Sequence, residues 1–507
     1  MLSRGKIITK TDALITVICY IGLLAFHGYR YGDGDMTETL SYALWLNDPT
    51  LFPSDFYIQA LVNHFVNPRL PFALILYPFV DNIDWACFLL HMFSTLLFLL
   101  GWVRVGRLYI KDDTLLILWL CSFLFLSYNI NLGGNEAWYY YFVPSQLAKA
   151  LGVWALFYYL QERWNALFLM LLPVTAVQPM VGAQLALIFG IVYVWQSSEQ
   201  LKIDFRKSLG ILVYGIVAGA WILGMYAYQG SGSESAGNMD YFRIMEVRMA
   251  HHFFPSYYPI SSWIILSPLI LAAWLLCRPY VQLFRFFTVS ILGLICYTIA
   301  VEALEFPLAL NFQWYKTTVW LKPLALLVLC SSISRIEPLP DLRRWYMPLL
   351  SAILIFSCLQ LTSLITWRKF VPLNVPFISH ETAEMQFARK AGTILPEQSC
   401  TIVPPHITAF RQYSRRSVFI DYKSSAHDHA YLEEAYRRRR ILYGMDLKLR
   451  RSGTDLIFSG NDFYHQLTAE DFQQFSSEGA THVLVERSKV LDLPLTAQDS
   501  VFSIYQL

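Results

Sequence analysis

Ala13-Leu-Ile-Thr-Val-Ile-Cys-Tyr-Ile-Gly-Leu-Leu-Ala-Phe26 is an apolar run with Arg4, Lys6 and Lys10 ahead of it and the acidic stretch Tyr31-Gly-Asp33-Gly-Asp35-Met-Thr-Glu38 soon after it. No small-x-small cleavage site follows the run, so it reads as an uncleaved signal anchor and as a first membrane-crossing helix. The rest of the chain repeats this alternation. Stretches near the bilayer requirement of about 20 apolar residues occur at 13–29, 85–103, 113–130, 144–160, 164–178, 180–196, 208–228, 260–277, 283–303, 316–334 and 347–366. The pattern predicts a mainly α polytopic membrane protein of about eleven spans.

Charge orients it. With the N-terminus inside, the short cytoplasmic loops carry Arg104, Arg107 and Lys111, then Arg163, then Lys202, Arg206 and Lys207, then Arg278 and Arg285, then Arg335, Arg343 and Arg344. The opposite loops, 30–84, 131–143, 229–259 and 304–315, are poor in Lys and Arg. The fifth and sixth spans are separated only by Gln178-Pro179, so hydropathy fits ten spans as well as eleven. The basic loops favour the odd count, which places everything after Trp367 outside the cytoplasm.

Composition agrees with a membrane protein. Of 507 residues, 55% are hydrophobic and only 15% charged, where soluble domains carry about a quarter charged. A net charge of +2 leaves no footprint for a polyanion, so nucleic acid is not an expected partner. Six of the eight cysteines, Cys19, Cys121, Cys277, Cys296, Cys330 and Cys358, lie inside apolar runs, and no disulfide or metal-ligand spacing is visible. From 367 to 507 the composition is that of a soluble domain. Helices are expected near 383–391, 429–443 and 469–475, and strands at 400–403, 418–422, 482–486 and 501–505. Their alternation predicts a small C-terminal α/β domain following a transmembrane domain over 1–366.

Several polar groups stand out against this background. Asp35 and Glu38 admit two compatible readings. They are an N-cap and capping box with Gly32 and Gly34 making the turn, or carboxylates placed as a base at the positive end of a helix. Further along the loop come Asn47-Asp48-Pro49, Leu51-Phe52-Pro53-Ser54-Asp55-Phe56-Tyr57, Asn63-His64 and Asn67-Pro68-Arg69. Arg248, His251 and His252 form a basic and aromatic cluster with Phe253 and Phe254, or else an interfacial belt. Neighbouring histidines do not easily share one ion, and no further ligand spacing completes a zinc site. Lys149 and Lys316 lie within predicted spans, where a lysine is a functional candidate unless it snorkels to the surface. Glu136 stands among Trp138, Tyr139, Tyr140 and Tyr141, side chains suited to sugar stacking or to anchoring at the interface. Arg411, Arg415, Arg416 and the run Arg437–Arg440 read as a solvated face, or as a surface for anionic lipid.

The acidic cluster after the first span, the amphipathic segment behind it, the DP…PxDF stretch and the basic residue before the second span resemble the first outer loop of the GT-C glycosyltransferases. The many-span body and the extracytoplasmic α/β tail extend the resemblance over nearly the whole chain. It implies transfer of a sugar, with inversion, from a polyprenyl-phosphate-linked donor in the membrane lipid to a hydroxyl of a lipid-linked glycan, a polysaccharide or a protein. It implies Asp35 as general base, with Asp33 as its competitor and Glu38 beside it. Asp55, His64, Arg69 and Glu136 become expected substrate contacts. Lys149, Arg248 and Lys316 would stabilise the leaving phosphate, with His251 and His252 positioning donor or acceptor in a shared outer cavity. No cofactor beyond the lipid-linked donor is implied, and a divalent metal, though compatible, is not called for by any spacing. Two positions depart from the family pattern, which often has His-Pro at Gln178-Pro179 and Arg at Lys316. The rival readings are a transporter or flippase for a lipid-linked or anionic substrate, expected to show broken, repeated helices, and a non-catalytic membrane scaffold.

Overall fold

Apolar runs become helices here with few exceptions of register. The structure is a computed structural model that describes residues 8–32, 34–200, 205–230, 241–333, 375–377, 381–426, 428–447 and 455–507. The first run is the helix Lys10–His27, opened by a capping box between Thr9 and Asp12 and ended at Gly28, whose φ of 74° few other residues tolerate. Helices Ile83–Arg107, Asp113–Cys121, Pro144–Leu160, Trp164–Val177, Pro179–Gln200, Phe205–Gly230, Ile260–Leu276, Val281–Thr298 and Thr318–Ile333 occupy the following runs. The run at 347–366 lies outside the described residues. Gln178-Pro179 does separate two helices: the Gln178 amide closes the first on the Val174 carbonyl, and proline opens the next.

Five described helical stretches, Lys10–His27, Leu70–Arg107, Pro179–Glu199, Ser208–Ala227 and Val281–Ala303, are long and apolar enough to cross a membrane. Their outward faces are apolar too, with Val194 66% and Ile216 63% exposed. Such faces suit lipid rather than water, and the chain is a helical protein of the membrane type.

The chain divides into two compact units. The first comprises Met1–Tyr29, Leu89–Trp221 and His251–Pro372. Its core is aromatic: Trp102 meets Trp119, Phe123 and Trp320 at ring-centroid distances of 6.0, 5.5 and 6.3 Å. The Trp119 indole donates to the Pro323 carbonyl at 2.8 Å, which satisfies its buried N–H.

The second unit comprises Arg30–Phe88, Ile222–Ala250 and Leu373–Leu507. The segment 30–84, read from sequence as a loop of the membrane domain, therefore groups with the tail. It contributes the helices Met36–Asn47, Phe56–Asn63 and Leu70–Leu76. The tail forms a five-stranded sheet from β1 (Cys400–Ile402), β2 (Ser417–Val418), β3 (His482–Glu486), β4 (Leu495–Gln498) and β5 (Phe502–Gln506), in the order β2-β1-β3-β5-β4. β1 pairs in parallel with β2 and β3, whereas β5 runs antiparallel to β3 and β4. The helix Ala383–Ile394 supplies Met385, Phe387, Ala388 and Ala391 to a core shared with Val403, Phe410, Leu484 and Ile504.

The expected tail elements are present, with corrections. The strand foreseen at 418–422 shrinks to Ser417–Val418, where the carbonyls of Phe419, Ile420, Asp421 and Tyr422 accept from the side chains of Arg438, Tyr443, Arg439 and Arg248 rather than from a neighbouring strand. Helices Phe410–Ser414 and Leu456–Gln466 and the edge strand β4 were not foreseen. β4 buries only Ala497 well, so its alternation is too weak to read locally.

Candidate functional site

Asp35 stands at the N-cap of Met36–Asn47, and Gly32 and Gly34 make the turn into it with φ of 68° and 58°. The capping part of the expectation fails. Asp35 adopts helical backbone angles and its side chain makes no capping hydrogen bond. Instead its carboxylate Oδ1 lies 2.7 Å from Lys423 Nζ, and the Asp35 side chain remains 51% exposed. Glu38 does not close a capping box either: it is buried, and it forms an ion pair with Arg69. Asp33 lies outside the described residues.

These two carboxylates occupy different environments. Burial pushes the Glu38 carboxyl above its ordinary range; Arg69 opposes the shift and the Asp35 charge adds to it. Burial pulls the Arg69 guanidinium down, but Glu38, then Tyr57 and Asp35, outweigh it and hold it above its ordinary value. Arg69 Nη2 also donates to the Ser425 carbonyl at 3.0 Å. The pair is therefore enclosed and engaged, while Asp35 keeps an open face.

Asp55, expected among the substrate contacts, is fully buried and occupied. It caps Phe56–Asn63 by accepting from the Tyr57 and Ile58 amides at 3.1 and 3.0 Å. Its other oxygen accepts from Arg411 Nε at 2.6 Å and from the Val418 amide at 2.7 Å. Arg411 continues to Asp421 at 2.8 Å, so one guanidinium bridges two carboxylates. Burial lowers the Arg411 guanidinium, but Asp55 and Asp421 together hold it above its ordinary value. Burial raises the Asp421 carboxyl, yet Arg411 and the Ser424 amide bring it below the usual carboxylate range.

His64 Nε2 lies 3.4 Å from Asp428 Oδ1, in a small cleft of about 20 Å³ lined also by Asn67, Arg69 and Ser425. Arg248 is buried, with its Nη2 donating to the carbonyls of Tyr422 at 2.8 Å, Lys423 at 2.9 Å and Ser424 at 3.3 Å. Burial, with the charge of Arg439, brings the Arg248 guanidinium down to about 10. The tail arginines are thus not a uniformly solvated face. Arg411 and Arg439 are buried, and Arg438 lies between the rings of Phe56 and Phe419 at 4.2 and 3.9 Å.

The remaining candidates belong to the first unit. Lys149 is buried; its Nζ donates to Asn135 Oδ1 at 2.7 Å and to the Glu136 carbonyl, and it sits 4.2 Å from the centre of the Tyr139 ring. Lysine and acid loop are thereby tied together through the Glu136 backbone. His251 and His252 lie against Gly134, and the Lys316 backbone amide lies against Gly133. A Cβ at Gly133 would lie 2.9 Å from the Lys316 amide, and one at Gly134 would lie 2.8 Å from His252 Nδ1. By unit, His251, His252 and Lys316 belong to the first, and Arg248 makes its bonds within the second.

Two lysines escaped the sequence reading. Lys423 lies in a tail that offered no motif. Lys322 is buried and donates to the Ser127 and Ile130 carbonyls and to Asn131 Oδ1 at 2.6, 3.1 and 2.9 Å. Its place in the apolar run 316–334 was the signal that would have found it.

Residues 383–442 match a domain of unknown function, DUF6798. No curated protein matches the chain. The matched segment contains Arg411, the stretch Asp421–Ser425 and Arg439, the groups that hold Lys423 beside Asp35.

Proposed function

We infer that the chain is a membrane glycosyltransferase of the GT-C kind, with Asp35 as general base. The observation that carries this reading is the contrast between two carboxylates one helical turn apart. Glu38 is buried and committed to Arg69, whereas Asp35 is half-exposed, with a lysine at 2.7 Å that favours its ionised form. In the reaction, the Asp35 carboxylate takes the acceptor hydroxyl proton as that oxygen attacks the anomeric carbon. The bond from that carbon to the phosphate oxygen breaks, and the electron pair leaves on the polyprenyl phosphate.

The topology belongs to the same proposal. Eleven spans, a cytoplasmic N-terminus and an extracytoplasmic tail put Asp35 and Lys423 on the side where lipid-linked donors are used. Reporter fusions at Lys111 and Leu507 are expected to report opposite sides.

Asp35→Asn is the decisive variant. The amide keeps the size of the carboxylate and removes its basicity. Transfer from lipid-linked sugar in membranes is expected to fall by roughly a hundredfold to ten-thousandfold. The exposed pair with Lys423 is worth at most about 1 kcal/mol, so thermal stability is expected to hold. Undiminished transfer by Asp35→Asn would remove the mechanism.

A further inference from the structure

The stretch Asp421–Ser425 is a loop whose every carbonyl accepts a hydrogen bond from an arginine. Arg439 Nε donates to the Asp421 carbonyl at 3.1 Å, and Arg439 Nη2 to that of Ser424 at 2.7 Å. Arg248 Nη2 takes those of Tyr422 and Lys423, and Arg69 Nη2 that of Ser425. Arg411 holds the loop by its side chains, through Asp421 Oδ2 at 2.8 Å and Ser424 Oγ at 2.9 Å.

Desolvating four guanidiniums is costly, and loops ordinarily leave their carbonyls to water. The outcome of this arrangement is specific. Of residues 421–426 only Lys423 is not buried, and its ammonium meets Asp35. A flexible lysine on a mobile loop would hold that carboxylate only part of the time; a lysine on a clamped loop holds it in one direction.

We propose that Lys423, mounted on the arginine-clamped loop of the tail, is a positioning residue that keeps the Asp35 carboxylate ionised and aimed. The role as an aid to catalysis rests on the reading of Asp35 as base; the pairing itself does not. It makes the tail part of the reaction centre rather than an appended domain. Among the described residues, Lys423 from the loop pairs with Asp35, and Glu38 on its own helix and Arg69 also interact with its charge. Removing Lys423 takes away the ammonium at 2.7 Å while Glu38 stays on the same helix, so the proton affinity of Asp35 rises.

The test needs no sugar donor. Full-length protein in detergent micelles is treated with a water-soluble carbodiimide and glycine ethyl ester across pH 4 to 7, and modification at Asp35 is quantified by peptide mass spectrometry. Carbodiimide activates the protonated carboxyl. In Lys423→Met the midpoint of Asp35 modification is expected to rise by about half a pH unit, giving about threefold faster labelling at a pH above both midpoints. Lys423→Arg, which keeps the charge, is expected to return the midpoint toward wild type. Asp48, whose carboxylate is held by the Thr50 amide and hydroxyl, is expected to label identically in all three proteins. Equal Asp35 midpoints in wild type and Lys423→Met would overturn the proposal, as would a shift in Asp48 of the same size. A shifted midpoint with full transfer by Asp35→Asn would retain the pairing and overturn its catalytic use, so the two readings fail separately.

Discussion

Arg411→Met removes the one guanidinium that neutralises both Asp55 and Asp421. The side chain fits the space of the arginine stem, so the change isolates charge and hydrogen bonding from packing. Breaking a buried ion pair by deleting one partner costs about 3–5 kcal/mol. Here two carboxylates are orphaned, but each keeps other donors: Asp55 has the amides of Tyr57, Ile58 and Val418, and Asp421 has that of Ser424. The lower end, about 3 kcal/mol, is therefore expected. For a unit of this size that corresponds to a fall in Tm of roughly 6–12 °C. The loss has a definite pH dependence. Because Asp421 is held below the usual carboxylate range in the folded protein, its contribution is complete above the unfolded value of about 4. It is lost as pH falls through the folded value. The difference between wild type and variant is thus expected to be largest at pH 7 and to narrow as pH falls through the folded value of Asp421, whose neutral carboxyl no longer requires the guanidinium. Scanning calorimetry or intrinsic fluorescence of the purified protein in detergent measures it. A Tm change within about 1 °C at pH 7, or a difference that widens in acid, would refute this account of the bridge.

Gly32→Ala is expected to destabilise the same unit by about 1–3 kcal/mol, since φ is 68° there and a Cβ would lie 2.1 Å from Tyr413 Oη. Tyr413→Phe in that background should recover only part of the loss in thermal unfolding, because the ring Cζ would remain at 2.8 Å. Lys322→Met is expected to cost about 1–3 kcal/mol in the first unit, because the Ser127, Ile130 and Asn131 oxygens lose a common donor. A Tm unchanged in Lys322→Met would show that those acceptors find water or other donors.

Hydropathy located the helices within a few residues: the run at 208–228 is the helix Phe205–Gly230, and that at 283–303 is Val281–Thr298 with its π-helical extension Ile299–Ala303. Periodicity placed the strand His482–Glu486 and the helix His429–Tyr443 to the residue. These features were legible because each depends on neighbours within about a turn or a strand length, a one-dimensional signal. The acidic first loop and its glycines were legible for the same reason, since Gly32 and Gly34 supply the positive φ of the turn whatever lies around them.

What charges do once the chain has folded is a different matter. Asp35 and Glu38 look alike in sequence, yet one is half-exposed against Lys423 and the other buried against Arg69. Asp55 looks like a substrate contact and is a buried cap bridged to an arginine 356 positions away. The run Arg437–Arg440 looks like a uniform basic face. In the fold, Arg437 pairs with Glu434, Arg438 stacks between phenylalanines, Arg439 holds carbonyls of the Asp421–Ser425 loop, and Arg440 is exposed. Local composition decides where helices and strands begin, because backbone hydrogen bonding and apolar spacing act over short stretches. Only tertiary packing decides which carboxylate keeps water, because desolvation and long-range partners set the fate of a charge, and neither is written near it in the chain.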